Sequence, residues 1–459
     1  MEVDKVEKEF IKVCKQSFKP DQITTSENEL FRHSHDESHH PGVEPDLVFF
    51  PESADDVVNI LGISRQFLIP ITPFGTGSGL EGQVIPVKKG ISVNFERMNK
   101  VIKFSPEDML VTVQPGITRM GLNSIINKHG LYFPIDPGAD ASIGGMVATN
   151  ASGTTAVRYG SMRDQLLDLE VVLANGTVIH TGTKAKKSSS GLHLTGLFAG
   201  SEGTLGLITE ITLKLHGIPE HTIAATCTFD TPRACTEAAH AILLSGIPIL
   251  RMEFVDALSI SFVNAYGSYD LPEKHSLFFE FAGMQKAVEE EGLLAELLLK
   301  DMGCENWAIA TDSGERARLW KARHEMSYAF RHIRGMTSSG GDVCAPISKL
   351  PDLVDYAREL IADSGLTGGI FGHVGDGNFH TIIMYDTSST EEYAKAEHIN
   401  GRLAERSIEL GGTCTGEHGV GIGKRKYQLA EHGAAFEVMK SMKQLLDPDH
   451  LLNPGKIFL

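Results

Sequence analysis

The sequence predicts an α/β or α+β protein with more than one domain, and three observations support this prediction. The 459 residues are too many for a single hydrophobic core, so two or three domains are expected. Hydrophobic residues make up 41% of the chain and charged residues 22%, as in ordinary soluble proteins. Strand-like segments and longer amphipathic segments occur together along the chain, separated by turns that draw on 47 glycines.

The first third of the chain contains a glycine-rich loop at residues 75–82, between predicted strands at 69–74 and 91–95. Gly77–Gly82 match the GxGxxG pattern of nicotinamide-binding Rossmann units. That motif requires a helix directly after the loop, and residues 83–87 cannot begin a long one. The loop is therefore predicted to hold an anion such as a pyrophosphate with its backbone N–H groups.

The remaining elements follow from local spacing and turn residues. Residues 137–153 are mostly small, so a ligand can lie directly on their backbone. From about residue 224 the pattern changes and predicts a second α+β domain. The predicted helices are 4–17, 54–67 with Ser53 as N-cap, 118–129, 233–244, 285–302, 313–330, 391–410 and 439–446. The other predicted strands are 47–51, 109–113, 167–173, 176–180, 225–229, 251–254 and 277–281.

The charge balance excludes several classes of partner. The chain has 42 basic and 59 acidic residues, a formal net charge of −17, which argues against a nucleic-acid-binding surface and against contact with an anionic membrane. No apolar run approaches membrane-spanning length. The six cysteines are scattered without CxxC spacing, as in a reduced intracellular protein. The N-terminus has neither a secretory signal nor an arginine-rich presequence, so the expected location is cytoplasmic, or mitochondrial if a targeting segment has been removed.

The segment 372–380 is the strongest candidate for chemistry. Asp376-Gly377 lies between apolar residues, which predicts a hairpin with a two-residue turn. The facing pairs are then Gly375 with Asn378, Val374 with Phe379, and His373 with His380. Both imidazoles would share one face, about 5 Å apart at Cβ, while Val374 and Phe379 point into a core.

A metal site needs a third ligand, and Glu417 in the segment 415–419 offers a carboxylate. Two histidines and one carboxylate are typical of a metal site with a position open to substrate. The alternative is a chance pair, because 19 histidines make some close pairs inevitable. The symmetric placement across the turn favours the metal. Residues 33–45 are predicted to form a solvated loop instead, because the histidines at 33, 35, 39 and 40 are irregularly spaced in a polar setting.

Several motifs follow one another in a fixed order: Pro73–Gly79, Asp136–Ala139 with Gly144, Gly145 and Asn150, Gly200–Gly206, Gly372–Asn378, Gly416–Gly419 and Asn453–Lys456. Together they resemble the FAD-dependent D-2-hydroxyacid dehydrogenases, in particular the cytochrome-linked D-lactate dehydrogenases and the FAD subunits of glycolate oxidases. The resemblance extends from about Pro45 to the end of the chain.

This resemblance implies an α+β fold with three parts. A vanillyl-alcohol-oxidase-type (PCMH) FAD-binding domain of two α+β subdomains would span residues 1–222. A ferredoxin-like α+β cap with the metal site would span 223–425, and residues 426–459 would return to the FAD-binding domain. The FAD is expected to be non-covalent, because Thr76 and Ser78 occupy the loop where histidyl-linked relatives carry a histidine.

The resemblance also assigns roles to individual residues. His373, His380 and Glu417 would bind a divalent metal, zinc or manganese. His418 would be the catalytic base, Arg323 would bind the substrate carboxylate with its planar fork, and Asn378 would be a further catalytic residue. For Arg323, the residues alone would favour a surface ion pair. The FAD-binding residues would be Pro73, Gly75, Thr76, Gly77, Ser78, Gly79, Leu80, Pro137, Gly138, Ala139, Ser142, Ile143, Gly144, Asn150, Gly153, Glu202, Gly203, Ile208 and Asn453.

The implied reaction oxidises a D-2-hydroxy acid by hydride transfer to flavin N5, with D-lactate as the expected substrate. Relatives that take 2-hydroxyglutarate carry a lysine where Gly340-Gly341 precede Asp342, which favours monocarboxylates here. Glycolate, D-2-hydroxyglutarate, a non-redox transferase of the same fold and an inactive partner subunit remain alternatives. The expected partners are the hydroxy acid and an electron acceptor, either a cytochrome, a quinone or an electron-transfer flavoprotein; a homodimer is a further expectation.

Overall fold

A computed structural model describes residues 2–333 and 335–458, without the side chains of 2–8 and 331. The chain forms two compact units. The first unit comprises Met1–Ser152, Gly160–Ile218 and Glu417–Leu459, and the second comprises Gly153–Tyr159 and Pro219–Gly416. The chain thus leaves the first unit near residue 218 and returns to it at Glu417.

The first unit combines short strands with helices. Its strands are β1 (Ile23–Thr24), β2 (Leu47–Phe49), β3 (Ile71–Phe74), β4 (Ile91–Asn94), β5 (Val101–Ser105), β6 (Leu110–Val113), β7 (Leu131–Tyr132), β8 (Leu166–Val172), β9 (Val178–His180), β10 (Leu207–Lys214) and β11 (His216–Gly217). Its helices are α1 (Glu2–Ser17), α2 (Glu27–Arg32), α3 (Ala54–Phe67), α4 (Arg119–Ile126), α5 (Ile143–Thr149), α7 (Met162–Gln165), α8 (Leu194–Phe198), α16 (Gln428–His432) and α17 (Ala434–Leu446).

Two larger sheets organise the first unit. One has the order β1-β2-β4-β3, with β4 parallel to both neighbours, and the other has the antiparallel order β5-β6-β10-β8-β9. Helix α3 begins as predicted, because Ser53 accepts a hydrogen bond from the Asp56 N–H. Residues 83–87 form no helix, so the exclusion of a Rossmann unit is confirmed.

The prediction of a solvated loop at residues 33–45 is wrong for its first part. His33 is fully buried and lies between two polar partners: Nδ1 is 2.7 Å from the Glu29 carbonyl, and Nε2 is 2.9 Å from Asn94 Nδ2. Asp36 is also buried. His35, Glu37 and His39 are exposed as predicted, whereas the buried His33 owes its place to internal hydrogen bonds.

The second unit contains both strands and helices. Its strands are β12 (His221–Phe229), β13 (Arg251–Val255), β14 (His275–Gly283), β15 (Glu305–Ala310), β16 (Met336–Cys344), β17 (Gly368–Gly372) and β18 (Asn378–Asp386). Its helices are α6 (Ala156–Tyr159), α9 (Pro232–Leu244), α10 (Ala257–Gly267), α11 (Gln285–Asp301), α12 (Ser313–His324), α13 (Met326–Arg331), α14 (Leu350–Ser364) and α15 (Thr390–Glu409).

These strands form one antiparallel sheet with the order β15-β12-β14-β13-β17-β18-β16. The register shifts once between β12 and β15, whereas β12 with β14, β13 with β14, and β18 with β16 and β17 pair without a shift. Residues that face each other across these strands therefore form rows on one side of the sheet. Within the described part of the chain, none of the helices is both long and apolar enough to pass through a membrane.

Candidate active site

The predicted hairpin at 372–380 exists, but its register differs from the prediction. Phe371, not His373, faces His380, and the Asn378 N–H donates to the His373 carbonyl over 3.2 Å. Gly377 has the expected positive φ of 88°, whereas Asp376 does not, so the two-residue turn is wrong. The connection is a longer loop, and the three facing pairs predicted across it are wrong.

The two imidazoles nevertheless meet. The register is displaced by two residues, and a shift of two keeps every side chain on its original face. The His373 and His380 rings have centroids 5.3 Å apart, and a ring nitrogen of each lies within 4.8 Å of the other. Val374 and Phe379 are fully buried, as predicted.

His373 belongs to a buried network that the sequence analysis missed. Its Nδ1 lies 2.7 Å from Oε1 of Glu253, which faces it from β13 and is fully buried. Arg323 donates to Oε2 of the same carboxylate from Nε at 2.9 Å and from Nη2 at 2.5 Å. Burial would raise the pKa of Glu253, but His373 and Arg323 together bring that pKa below its usual value. Glu253 lies between the apolar residues Met252 and Phe254 in the predicted strand 251–254, and this position was the signal for the site.

His380 has a carboxylate beside it in the same way. Asp342 faces it across β16 and β18, with Oδ1 lying 3.5 Å from His380 Nδ1. Asn378 donates to that Oδ1 over 2.7 Å and to the Val343 carbonyl over 2.8 Å. Thr415 donates to the other oxygen of Asp342. Within the described residues the buried Oδ1 of Asn378 accepts no hydrogen bond, so it can accept one from a ligand.

Glu417 and His418 belong to the first unit. Ser152 donates to Glu417 Oε2 over 3.0 Å, and Gln83 donates to the His418 carbonyl over 2.6 Å. Glu202 holds the chain shortly after His418, because its carboxylate accepts from the N–H groups of Val420 and Gly421 at 2.7 to 3.1 Å. The segment that carries the predicted base is therefore fixed through its backbone.

The glycine loop and the second glycine-rich segment meet within the first unit. A Cβ on Gly75 would lie 2.5 Å from Ser142 Oγ, which caps α5 by accepting from the Gly145 N–H. Gly144 packs on Pro115, and Gly203, with a φ of 69°, packs on the ring of Pro73. The glycine backbone thus packs closely on neighbouring serine and proline residues, and glycine-rich segments of this kind fit a flavin dinucleotide whose pyrophosphate lies against N–H groups.

The C-terminal segment closes this cradle. Asn453 is buried and donates from Nδ2 to the carbonyls of Gln83 and Glu202, at 3.0 and 2.7 Å. Lys456 is buried beside it and donates to the Ile85 carbonyl. Burial lowers the pKa of Lys456 to about 8, although Glu202 and Asp36 partly offset this effect. Asn453 therefore ties the chain just after the glycine loop to the turn that carries Glu202.

The other predicted FAD-binding residues have different surroundings. Ile143 is fully buried in the core, and Ile208 lies in β10. Asn150 accepts from the Ser161 hydroxyl and the Arg163 N–H, so its side chain holds a neighbouring turn. Thr76 and Ser78 face each other over 3.0 Å in the glycine loop. Leu80 follows in the same loop; Pro137, Gly138 and Ala139 lie in the loop before α5, and Gly153 begins the short segment assigned to the second unit.

Comparison with known proteins supports this arrangement. Residues 218–457 match the family model described as FAD linked oxidases, C-terminal domain, and residues 45–182 match the FAD binding domain. The chain therefore belongs to the FAD-linked oxidases, and FAD is its cofactor.

Similarity to individual proteins then narrows the class. The chain is 45% identical over 431 residues to a "Probable D-lactate dehydrogenase, mitochondrial" of Danio rerio, covering 93% of this chain and 87% of that protein. It is 40% identical to "D-lactate dehydrogenase [cytochrome], mitochondrial" of Arabidopsis thaliana, covering 99% and 81%. The predicted membership of the FAD-dependent D-2-hydroxyacid dehydrogenases is confirmed.

A solved structure extends the comparison to the fold. Substrate-bound p-cresol methylhydroxylase superposes with a TM-score of 0.79 at 18% identity, covering 99% of this chain and 96% of that one. The predicted vanillyl-alcohol-oxidase-type fold is confirmed.

Proposed function

We propose that the protein oxidises D-lactate to pyruvate with FAD as the hydride acceptor and with a divalent metal. The observation that supports this most is the pair His373 and His380 on one face of the sheet, each with a carboxylate beside Nδ1. Such carboxylates orient metal-binding histidines and leave Nε2 for the ion. The two D-lactate dehydrogenases that are 45% and 40% identical support the substrate.

When bound, FAD takes up the hydride from the α-carbon, and a zinc or manganese ion lowers the pKa of the substrate hydroxyl. His373 and His380 would hold the ion, with Glu417 as the predicted third ligand. His418 would accept the hydroxyl proton at an imidazole nitrogen, because a neutral imidazole is a suitable base near neutral pH. The backbone contacts from Gln83 and Glu202 would keep that imidazole in place.

Two residues would orient the substrate. Arg323 uses two of its five N–H donors on Glu253, so three are left for the substrate carboxylate. The buried Oδ1 of Asn378 would accept a hydrogen bond from the substrate or from a water molecule beside it. Both roles remain proposals that rest on the positions of these donors and acceptors.

The electron acceptor in this proposal is a cytochrome, because the Arabidopsis thaliana relative carries that word in its name. A mitochondrial location belongs to the same proposal, for the same reason. Glycolate is a second candidate substrate, since the chain also resembles the FAD subunits of glycolate oxidases.

Anaerobic reduction of the bound flavin tests the function. The purified protein should be yellow, and its absorbance at about 450 nm should fall on addition of D-lactate but not L-lactate. If glycolate or D-2-hydroxyglutarate bleached the flavin faster than D-lactate, that acid would be the substrate instead. A flavin that none of these acids bleaches would favour the non-redox or inactive alternatives.

A further inference from the structure

Glu253 occupies a special position in the sheet of the second unit. The register of β13 and β17 pairs Val255 with Phe371 and Phe254 with Gly372, so Glu253 comes directly opposite His373. Its side chain is fully buried, and both carboxylate oxygens are used: Oε1 by His373 and Oε2 by Arg323. A buried carboxylate with three N–H donors around it is fixed in orientation.

The contact with His373 determines which ring nitrogen carries the hydrogen. A carboxylate only accepts hydrogen bonds, so the hydrogen of the 2.7 Å contact lies on Nδ1 of the imidazole. A neutral imidazole has one N–H, so an imidazole that carries its hydrogen on Nδ1 has the lone pair of its other nitrogen on Nε2. A metal ion binds to that lone pair.

We infer that Glu253 is a positioning residue, which holds His373 in the Nδ1–H tautomer and so presents Nε2 to a divalent cation. Arg323 acts on the metal site through Glu253, in addition to its proposed contact with the substrate. This inference rests on the proposed function, because it assumes that His373 is a metal ligand.

The substitution Glu253→Gln separates this role from simple packing. An amide has one accepting oxygen and one donating NH₂, and the buried cation Arg323 requires the oxygen. The NH₂ group then faces His373, whose Nδ1 must become the acceptor. The hydrogen moves to Nε2, and the lone pair that binds the metal is lost.

The double variant Glu253→Gln/Arg323→Met gives the opposite expectation. Without Arg323 the amide can turn, and its oxygen can accept from Nδ1 of His373 as the carboxylate does. The metal affinity of the double variant should therefore recover, although this protein carries one more substitution than the single variant. In Glu253→Gln alone, the buried charge of Arg323 would be left without a counter-ion, and the protein could fold poorly. The double variant lacks this charge, so its metal affinity can be measured even if the single variant does not fold.

Glu280 provides a matched control in the same sheet. It is buried on β14, faces Arg251 on β13, and lies 3.2 Å from that guanidinium. Glu280→Gln makes the same chemical change next to an arginine, without a histidine opposite. It should leave metal affinity and turnover close to those of the wild type.

The experiment measures the dissociation constants for Zn²⁺ and Mn²⁺ by competition with a fluorescent chelator, on FAD-loaded protein stripped of metal. We expect Glu253→Gln to weaken binding by about 10- to 100-fold, as for other hydrogen-bond partners of metal ligands. Glu280→Gln should stay near the wild type, and the double variant should return to within about tenfold of it. His373→Gln is the positive control for loss of the metal.

A second measurement reads the tautomer directly. In metal-free protein the ¹⁵N shifts of His373, assigned by comparison with His373→Gln, should show a protonated Nδ1 in the wild type and a protonated Nε2 in Glu253→Gln. Unchanged shifts and an unchanged metal affinity in Glu253→Gln would overturn the inference, while the proposed function would stand. An equal loss in the single and double variants would also overturn it. If neither the wild type nor His373→Gln binds metal, the proposed metal dependence fails, and the inference fails with it.

Discussion

The two units hold their proposed ligands by different means. In the first unit, the flavin cradle is built from backbone, with Gly75 against Ser142 and Gly203 against Pro73. In the second unit, paired side chains form the site, each imidazole having a carboxylate beside it. The difference shows what each site is sensitive to. A cradle of backbone is disturbed by added volume, whereas a site of side chains is disturbed by a change of one atom type.

Removal of one imidazole should have the largest effect on turnover. It would show that the site of the second unit can be lost while the first unit still binds FAD. His380→Ala removes a proposed ligand from the second unit and leaves the flavin cradle unchanged. We expect turnover of D-lactate to fall by more than about 100-fold, beyond the usual cost of losing an outer partner of a ligand. Flavin absorbance and metal content are measured on the same sample. His398→Ala on the exposed side of α15 is the control; equal turnover in both variants would contradict the metal proposal.

The buried Glu202 tests whether the first unit also depends on an ionisable side chain. Burial raises its pKa to about 7 from the ordinary value of 4.5, although the Val420 and Gly421 N–H groups lower it. A folded-state pKa above the unfolded value gives stability that is complete below pH 4.5 and lost as the pH rises through about 7.

Glu202→Gln removes this dependence. Between about pH 5 and about pH 8, the free energy of unfolding of the variant should rise relative to the wild type, by on the order of 3 kcal/mol. Guanidinium unfolding at both pH values, with FAD in constant excess, measures the difference. A constant offset between the two proteins would show that Glu202 does not titrate in this range.

Added volume in the cradle should act on flavin binding. In Gly75→Ala the new Cβ would lie 2.5 Å from Ser142 Oγ, which is held as the N-cap of α5. Overpacking of this kind typically costs about 1–3 kcal/mol, so FAD should bind roughly 10- to 100-fold more weakly. Fluorescence titration of the apoprotein with FAD gives the dissociation constant; tight binding would mean that the loop relaxes without loss of the cradle.

Gly62→Ala is the matched control for that substitution and has the smallest expected effect. Gly62 lies inside α3, and nothing lies within 4 Å of a Cβ placed there. The variant should be more stable by about 0.5–1 kcal/mol, because alanine favours the helix, with FAD affinity unchanged. The midpoint of thermal unfolding measures this; a lower midpoint would indicate an unseen contact at this position.

Sequence patterns predicted the local elements best. The cap at Ser53, the absence of a helix at 83–87 and the histidine pair all follow from short-range chemistry. The register of the hairpin did not follow, because it depends on how β17 and β18 pair along their length. The sequence predicted only that the two histidines lie on the same face of the sheet, because a register shift of two residues leaves that face unchanged.

Other parts of the fold were missed for identifiable reasons. Strand β16 contains Ser338, Ser339 and two glycines, has no apolar alternation, and exists because it pairs with β18 over nine residues. Helix α14 was missed although its apolar spacing was visible in the sequence. The Glu253 network required knowledge of which strand lies next to β17, and sequence patterns do not give strand order.

The position of Asn453 and Lys456 has a consequence for synthesis of the chain. Their hydrogen-bond acceptors, the carbonyls of Gln83, Ile85 and Glu202, come before residues 219–416 in the chain, whereas Asn453 and Lys456 come after them. A ribosome therefore makes the two sides of these contacts at different times, with most of the second unit between them. A nascent chain that has reached only residues 219–416 carries an open cradle, so capture of the flavin follows synthesis of the second unit.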